Sequence, residues 1–406
     1  MGKLALAMLV LLMGMSDASS AGESFWSFYF YINADPVLSN EGMKTLKQIR
    51  KIAARNCRDA DFAIIYSIKS KQETKGFQVV KNCEIIDLSR QIASKKLSSA
   101  STMSFFLKTS AGMLAPDGRK FLSIWGHGKG WLAKGYLDEG RGEESGNMVE
   151  FARETGRRGL FDVLVLDSCL MSSVEVLYEF RAAATYVIAS QLVLNDIGID
   201  YSTIDTRTDP LHLSMNVISG TARRLKTSRL LPFSLALVDI GKIEKFRKSF
   251  ENLLLDMSLA LAPVKGGPED ILDEFLGKPG GRITWTSIDD LGRGIYLSSR
   301  SGIESMSVDL GALLDRIKTR FPGLPSTDDA IESYGELVVD RRSRTSSQKH
   351  TGISIFFPKS AHFVSNEKDI AHYRNKLSFP GSSKWLEFIR WLETRRGFFS
   401  APQSFN

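Results

Sequence analysis

Between residues 25 and 261 this chain alternates apolar runs of strand length with stretches whose apolar residues recur at helical spacing. No other feature constrains the fold as much. Phe25 to Ile32, Asp61 to Ile68, Phe121 to Ile124, Val163 to Leu166, Thr185 to Ser190 and Phe233 to Asp239 read as strands, rich in aromatic and β-branched residues. Asn40 to Ala54, with Met43, Leu46 and Ile49 on one face, reads as a helix. So do Ser101 to Ala115, Asn147 to Arg158, Ser172 to Ala183, Asp209 to Thr227 and Ile240 to Leu261. Ser172 and Glu175 have the spacing of a capping box. Residues 69–99 are mixed, with a short extended piece at Glu84 to Leu88. Strands alternating with helices of this length imply an α/β fold with a parallel sheet covered on both faces.

At 406 residues the chain has room for a large core or a second unit, and 43% of it is hydrophobic. Glycine and proline become frequent around Pro263 to Gly281, which places a boundary between residues 22–265 and a C-terminal region at 266–406. That region carries helical spacing over Ser307 to Arg320 and Lys384 to Arg395, and an apolar strand at Thr351 to Phe357.

The first 21 residues have the form of a signal peptide: Lys3, an apolar stretch from Leu4 to Met15, and small residues at Ala18 to Ala21. That stretch is too short to span a bilayer, and no later segment approaches the length of a membrane span. An exported protein without a membrane anchor is the expectation. Export permits disulfides. Cys57 and Cys83 either pair or remain two buried thiols; Cys169 is left over, a candidate reactive thiol. The net charge of +7 is not concentrated in any tract, and no basic cluster is interleaved with aromatics, so nucleic-acid binding has no support.

Two strand-like runs end in reactive residues. Phe121 to Ile124 leads into Trp125-Gly126-His127-Gly128-Lys129-Gly130-Trp131, and Val163 to Leu166 leads into Asp167-Ser168-Cys169-Leu170-Met171. Open α/β sheets place their chemistry outside the carboxyl ends of the strands. A thiol attacks as thiolate, and His127 is a candidate base to take its proton and return it to a leaving amine. Glycine at 128 permits close approach of a substrate, and the Gly128 and Cys169 N–H groups are candidates for an oxyanion hole. Asp167, two residues before Cys169, projects to the same side of its strand. It either meets a cationic substrate group, orients His127, or caps the following turn. The loop from Leu132 to Gly146 is glycine-rich, charged and without period. His212, His362 and His372 lack companions at metal-ligand spacing, and no G-x-S-x-G elbow, Walker loop or dinucleotide fingerprint occurs.

With these residues in view, the chain resembles the clostripain family of cysteine peptidases, relatives of caspases, legumains, gingipains and separases. The resemblance rests on Trp125 to Trp131 and on Asp167 to Val176, supported by Asn33-Ala34-Asp35, Ala189-Ser190-Gln191 and Gly352 to Pro358. It implies a caspase-like three-layer α/β/α sandwich with a mostly parallel central sheet and a smaller C-terminal α+β region. It implies an endopeptidase with His127 as general acid/base, Cys169 as nucleophile, and Asp167 as a pocket acid selecting arginine, or lysine, at P1. It further implies self-cleavage in the 132–146 loop, where Lys134-Gly135 and Arg141-Gly142 suit that specificity. Gln191 stands where relatives often carry an acid, the following Leu192-Val193-Leu194 is more apolar than usual, and Asp196 is a candidate second pocket acid. Some relatives depend on calcium, but no calcium-loop pattern occurs, and no cofactor is expected. The competing reading is a binding or adhesion module on an inactive peptidase scaffold; the presence of both His127 and Cys169 counts against it.

Overall fold

The computed structural model describes residues 25–132, 136–137, 146–194, 198–227, 233–261, 285–286, 307–344, 350–357 and 367–395. Every residue of β1 (Trp26–Ala34) and β2 (Ala60–Ile68) is buried. A strand apolar on both sides must be covered on both sides, and the side chains divide accordingly. Trp26, Phe28, Phe30 and Ile32 of β1 enter one hydrophobic cluster, Tyr29 and Tyr31 the other. Phe28 stacks on Phe62 at 5.0 Å and meets Phe121 at 5.3 Å, so adjacent strands lock through aromatic pairs.

The sheet has nine strands in the order β11-β8-β7-β6-β5-β1-β2-β3-β4. The remaining members are β3 (Thr74–Lys81), β4 (Glu84–Asp87), β5 (Arg119–Trp125), β6 (Phe161–Asp167), β7 (Ala184–Ser190), β8 (Phe233–Asp239) and β11 (Val338–Arg344). Its centre, β2-β1-β5-β6-β7, is parallel; β3 and β4 on one side, and β8 and β11 on the other, are antiparallel additions. One face is covered by α1 (Ser39–Asn56) and α5 (Pro210–Thr227), which supply Leu46, Ile49, Leu213 and Val217. The other is covered by α2 (Ala100–Ala111), α3 (Met148–Arg157), α4 (Val174–Glu179) and α6 (Ile243–Leu261), with Phe106, Phe151, Val176 and Phe250. This is the expected α/β/α sandwich.

The C-terminal region shares that core. β11 pairs antiparallel with β8, and α7 (Leu310–Arg320) and α8 (Ser326–Leu337) add Leu313, Leu314, Ala330 and Leu337 to the same cluster as Phe106 and Phe246. Residues on both sides of position 265 therefore build one hydrophobic cluster. A small second sheet, β12-β10-β9, joins Ser354–Phe356, Ser307–Asp309 and Trp285–Thr286. The last elements are α9 (Glu367–Asn375), α10 (Ser378–Ser382) and α11 (Trp385–Arg395).

Several local expectations change. Ser307 to Asp309 is a strand, and the helix starts only at Leu310, where Asp309 caps it by accepting the Ala312 N–H. The helix after Cys169 is capped by Ser173, not Ser172, because the Ser172 hydroxyl donates to Gly352 O at 2.6 Å. Cys57 and Cys83 form a disulfide joining the end of α1 to the β3–β4 turn.

Candidate active site

Three neighbouring strand ends build the site. β1 pairs with β5 up to Ile32↔Trp125, and β5 pairs with β6 up to Trp125↔Asp167, so the residues that follow emerge side by side. The chain turns one way from β1 into β2 and the other way from β5 into β6; the three strand ends lie at that switch in strand order. Asp35 follows β1, His127 follows β5 and Cys169 follows β6.

His127 Nε2 lies 3.1 Å from Asp35 Oδ1, and the two side chains are 24% and 9% exposed. The same oxygen accepts the Leu38 N–H at 2.9 Å, which fixes the carboxylate at the entry to α1. Burial works to raise the Asp35 carboxyl, but the hydrogen bond and charge of His127, with the Leu38 and Val37 N–H groups, outweigh it and lower it. Asp35 is thus an anion that fixes the ring and directs Nδ1 away from itself. Asp35 is a site residue that local sequence pattern does not single out. Its signal was the Asn33-Ala34-Asp35 strand end, and its meaning depends on β1 lying beside β5.

The His127 and Cys169 loops touch through their backbones. A Cβ at Gly128 would sit 2.4 Å from Cys169 O and 2.8 Å from Ser168 Cβ, so only glycine permits this approach. The Leu137 N–H donates to His127 O at 2.9 Å, and Asn33 Nδ2 donates to Leu137 O at 2.9 Å, bracing the histidine loop against β1. Cys169 is partly exposed and is not in a disulfide; its thiol lies 3.7 Å from Leu194 O. Leu170 beside it holds a left-handed φ of 63°, a strained conformation for a non-glycine residue.

Asp167 is 3% exposed. Tyr201 OH donates to its Oδ2 at 2.6 Å, and the Ile199 N–H reaches both oxygens at 3.2 and 3.3 Å. Gly198, at φ 63°, crosses over the carboxylate and the Trp125 indole; a Cβ there would meet both at 3.2–3.4 Å. Burial pushes the Asp167 carboxyl up to about 6, opposed by Tyr201, Ile199 and the Arg224 charge. Asp167 therefore does not orient His127; Asp35 does.

Gln191 is buried. It donates to Asp309 Oδ2 at 2.8 Å and accepts from Ser234 Oγ at 3.0 Å. An acid at this position would face Asp309, which explains the amide. Asp196, Lys134 and Arg141 lie outside the described residues. Among the described residues no group of three or more His, Cys, Asp or Glu side chains is placed to hold a metal ion, and no helix is long and apolar enough to cross a membrane.

The profile of the clostripain family matches residues 31–391. Among curated proteins no sequence matches significantly. An inactive zymogen C11 protease from Parabacteroides distasonis superposes with a TM-score of 0.65 at 16% identity, over 89% of this chain and 98% of that one. A secreted C11 cysteine protease from Bacteroides thetaiotaomicron, in complex with an irreversible peptide inhibitor, gives 0.66 at 15% identity, over 89% and 99%. At such identities the likeness is one of fold.

Proposed function

The chain belongs to the clostripain family, and from that premise we propose that it is an exported cysteine endopeptidase that cleaves after basic residues, arginine before lysine. The observation that carries this reading is the Asp35–His127 contact at a strand end whose loop lies against Cys169.

With Nε2 committed to Asp35, Nδ1 is the ring nitrogen that exchanges protons. His127 takes the thiol proton, and the Cys169 sulfur attacks the scissile carbonyl carbon. The carbonyl oxygen becomes an oxyanion beside the Gly128 and Cys169 N–H groups. As the C–N bond breaks, imidazolium delivers its proton to the leaving amine, and a thioester remains. Water then gives a proton to His127 while its oxygen attacks the thioester; the carboxylic product leaves and the thiol is restored.

Asp167 is the acid for a substrate guanidinium, and Asp196 is a second candidate. The Asp167 carboxylate lies under Gly198 and Ile199, so an arginine reaches it once that cover shifts. Such a covered pocket suits a precursor activated by cutting its own 132–146 loop at Lys134 or Arg141. A peptide inhibitor bound to the Bacteroides thetaiotaomicron protease, and the zymogen state of the Parabacteroides distasonis one, agree with peptide substrates and activation. Export is supported by the signal-like first 21 residues and by the Cys57–Cys83 disulfide, since disulfides persist in oxidising compartments.

Short fluorogenic peptides differing only at P1 test the proposal. Cleavage after arginine that is absent in Cys169→Ala is expected; cleavage confined to aspartate or asparagine would remove Asp167 from its role.

A further inference from the structure

Glu175 lies in the first turn of α4, six residues after the nucleophile, and is completely buried. Burying a carboxyl group there is costly unless hydrogen bonds offset its lost hydration, and burial raises its pKa. Its Oε1 accepts two of them, from the Phe356 N–H at 2.8 Å and from the Tyr373 hydroxyl at 3.0 Å. Both donors are neutral and both come from the C-terminal region.

The two residues it grips touch the histidine loop, and the strand that carries Phe356 touches the cysteine loop. Trp131, four residues after His127, packs edge-on against Phe356 at 4.8 Å and against Tyr373 at 4.7 Å. Those two rings meet each other at 4.7 Å. On the cysteine side, the Ser354 N–H donates to Ser172 O at 2.9 Å, and the Ser172 hydroxyl donates to Gly352 O. Trp385 Nε1 closes the arrangement by donating to Phe356 O at 2.8 Å. One carboxyl oxygen on the helix that follows the cysteine therefore holds the Phe356 backbone and the Tyr373 hydroxyl, the two residues whose rings pack on Trp131 of the histidine loop.

We infer that Glu175 is a positioning residue: through Phe356 and Tyr373 it sets the His127 loop against the Cys169 loop. The inference rests on the peptidase reading. It makes the C-terminal region part of the catalytic apparatus, acting on turnover rather than on substrate binding.

The test uses the full-length protein with Glu175→Ala, Glu175→Gln and Tyr373→Phe. Glu175→Ala lowers kcat at least tenfold with KM within twofold. Glu175→Gln, whose amide oxygen still accepts from both donors, recovers kcat to within threefold of wild type. Tyr373→Phe lowers kcat about threefold, and added to Glu175→Ala it produces no further loss. Ile52→Ala, on the opposite face of the sheet, serves as a variant of comparable loss in Tm and leaves kcat unchanged. A folded Glu175→Ala enzyme with wild-type kcat, a glutamine variant no better than alanine, or fully additive losses overturns the inference. If Glu175→Ala does not fold, Tyr373→Phe decides alone, and a wild-type kcat overturns it. If the wild-type protein cleaves no peptide even after trypsin has cut its 132–146 loop, the peptidase reading has failed. The rate of Cys169 alkylation by iodoacetamide then decides: a change of threefold or more in the folded variants supports the inference, and an unchanged rate overturns it.

Discussion

Removing the Asp35 carboxylate tests how the histidine is held. Asp35 Oδ1 is 3.1 Å from His127 Nε2 in a position only 9% exposed, while the histidine ring is 24% exposed. A hydrogen bond to a charged partner contributes about 1.5–3 kcal/mol. At about 1.4 kcal/mol per tenfold in rate, Asp35→Ala should lower kcat roughly 10- to 150-fold. Partial access of water to the ring favours the lower half of that range. Asp35→Asn keeps an oxygen that accepts the same N–H and should lose about tenfold or less. The assay is steady-state hydrolysis of an arginyl fluorogenic peptide, with circular dichroism to confirm that α1, which starts beside Asp35, is intact. An Asp35→Ala enzyme within twofold of wild type would show that Asp35 does not hold the catalytic ring. An asparagine variant as impaired as His127→Ala would show that accepting the N–H is not what Asp35 contributes.

Asp167, raised to about 6 by burial, must ionise to hold a guanidinium, so kcat/KM for arginyl peptides should fall as pH drops below about 6. Asp167→Asn should abolish that limb and reduce the preference for arginine over norleucine by roughly 10- to 150-fold, the range of one charge-assisted hydrogen bond. Because the native carboxyl binds its proton more tightly than the unfolded one at 3.8, Asp167 makes stability fall as pH rises from about 4 to about 6; urea unfolding of Asp167→Asn should lose that slope. Gly128→Ala puts a methyl 2.4 Å from Cys169 O. The loops must separate, and kcat should fall by a factor on the order of 100 while circular dichroism is unchanged. Cys57→Ser with Cys83→Ser should cost about 2–4 kcal/mol in chemical denaturation, as expected for loss of a native cross-link, with kcat unchanged in the folded enzyme.

What the sequence discloses and what it conceals follow from locality. β1, β5 and β6 are legible because strands buried on both faces are nearly continuous apolar runs, and their ends carry His127 and Cys169. β3 is half-exposed and mixes Thr74, Lys75 and Gln78 with Phe77 and Val79, so its residues show no clean period. β11 is an edge strand bearing Arg341, Arg342 and Arg344; that charge blocks edge-to-edge pairing and removes the strand's apolar signature. Asp35 escapes notice because its partner lies 92 positions away, across a strand pairing that local patterns do not encode. Ser172 and Glu175 mislead for the same reason: both fit a capping box locally, yet both side chains are taken by residues beyond position 350.

In the proposed mechanism His127 and Cys169 form one catalytic unit. Its most direct test is mass spectrometry of the protein after incubation with an arginyl acyloxymethyl ketone, for wild type, Cys169→Ala and His127→Ala, each also treated with trypsin to cut the 132–146 loop. One covalent adduct on Cys169 is expected in the wild type, none in Cys169→Ala, and labelling slowed at least 100-fold in His127→Ala. Absence of an adduct in the loop-cut wild type, or labelling unaffected by loss of His127, would contradict that mechanism and favour a binding module on a peptidase scaffold.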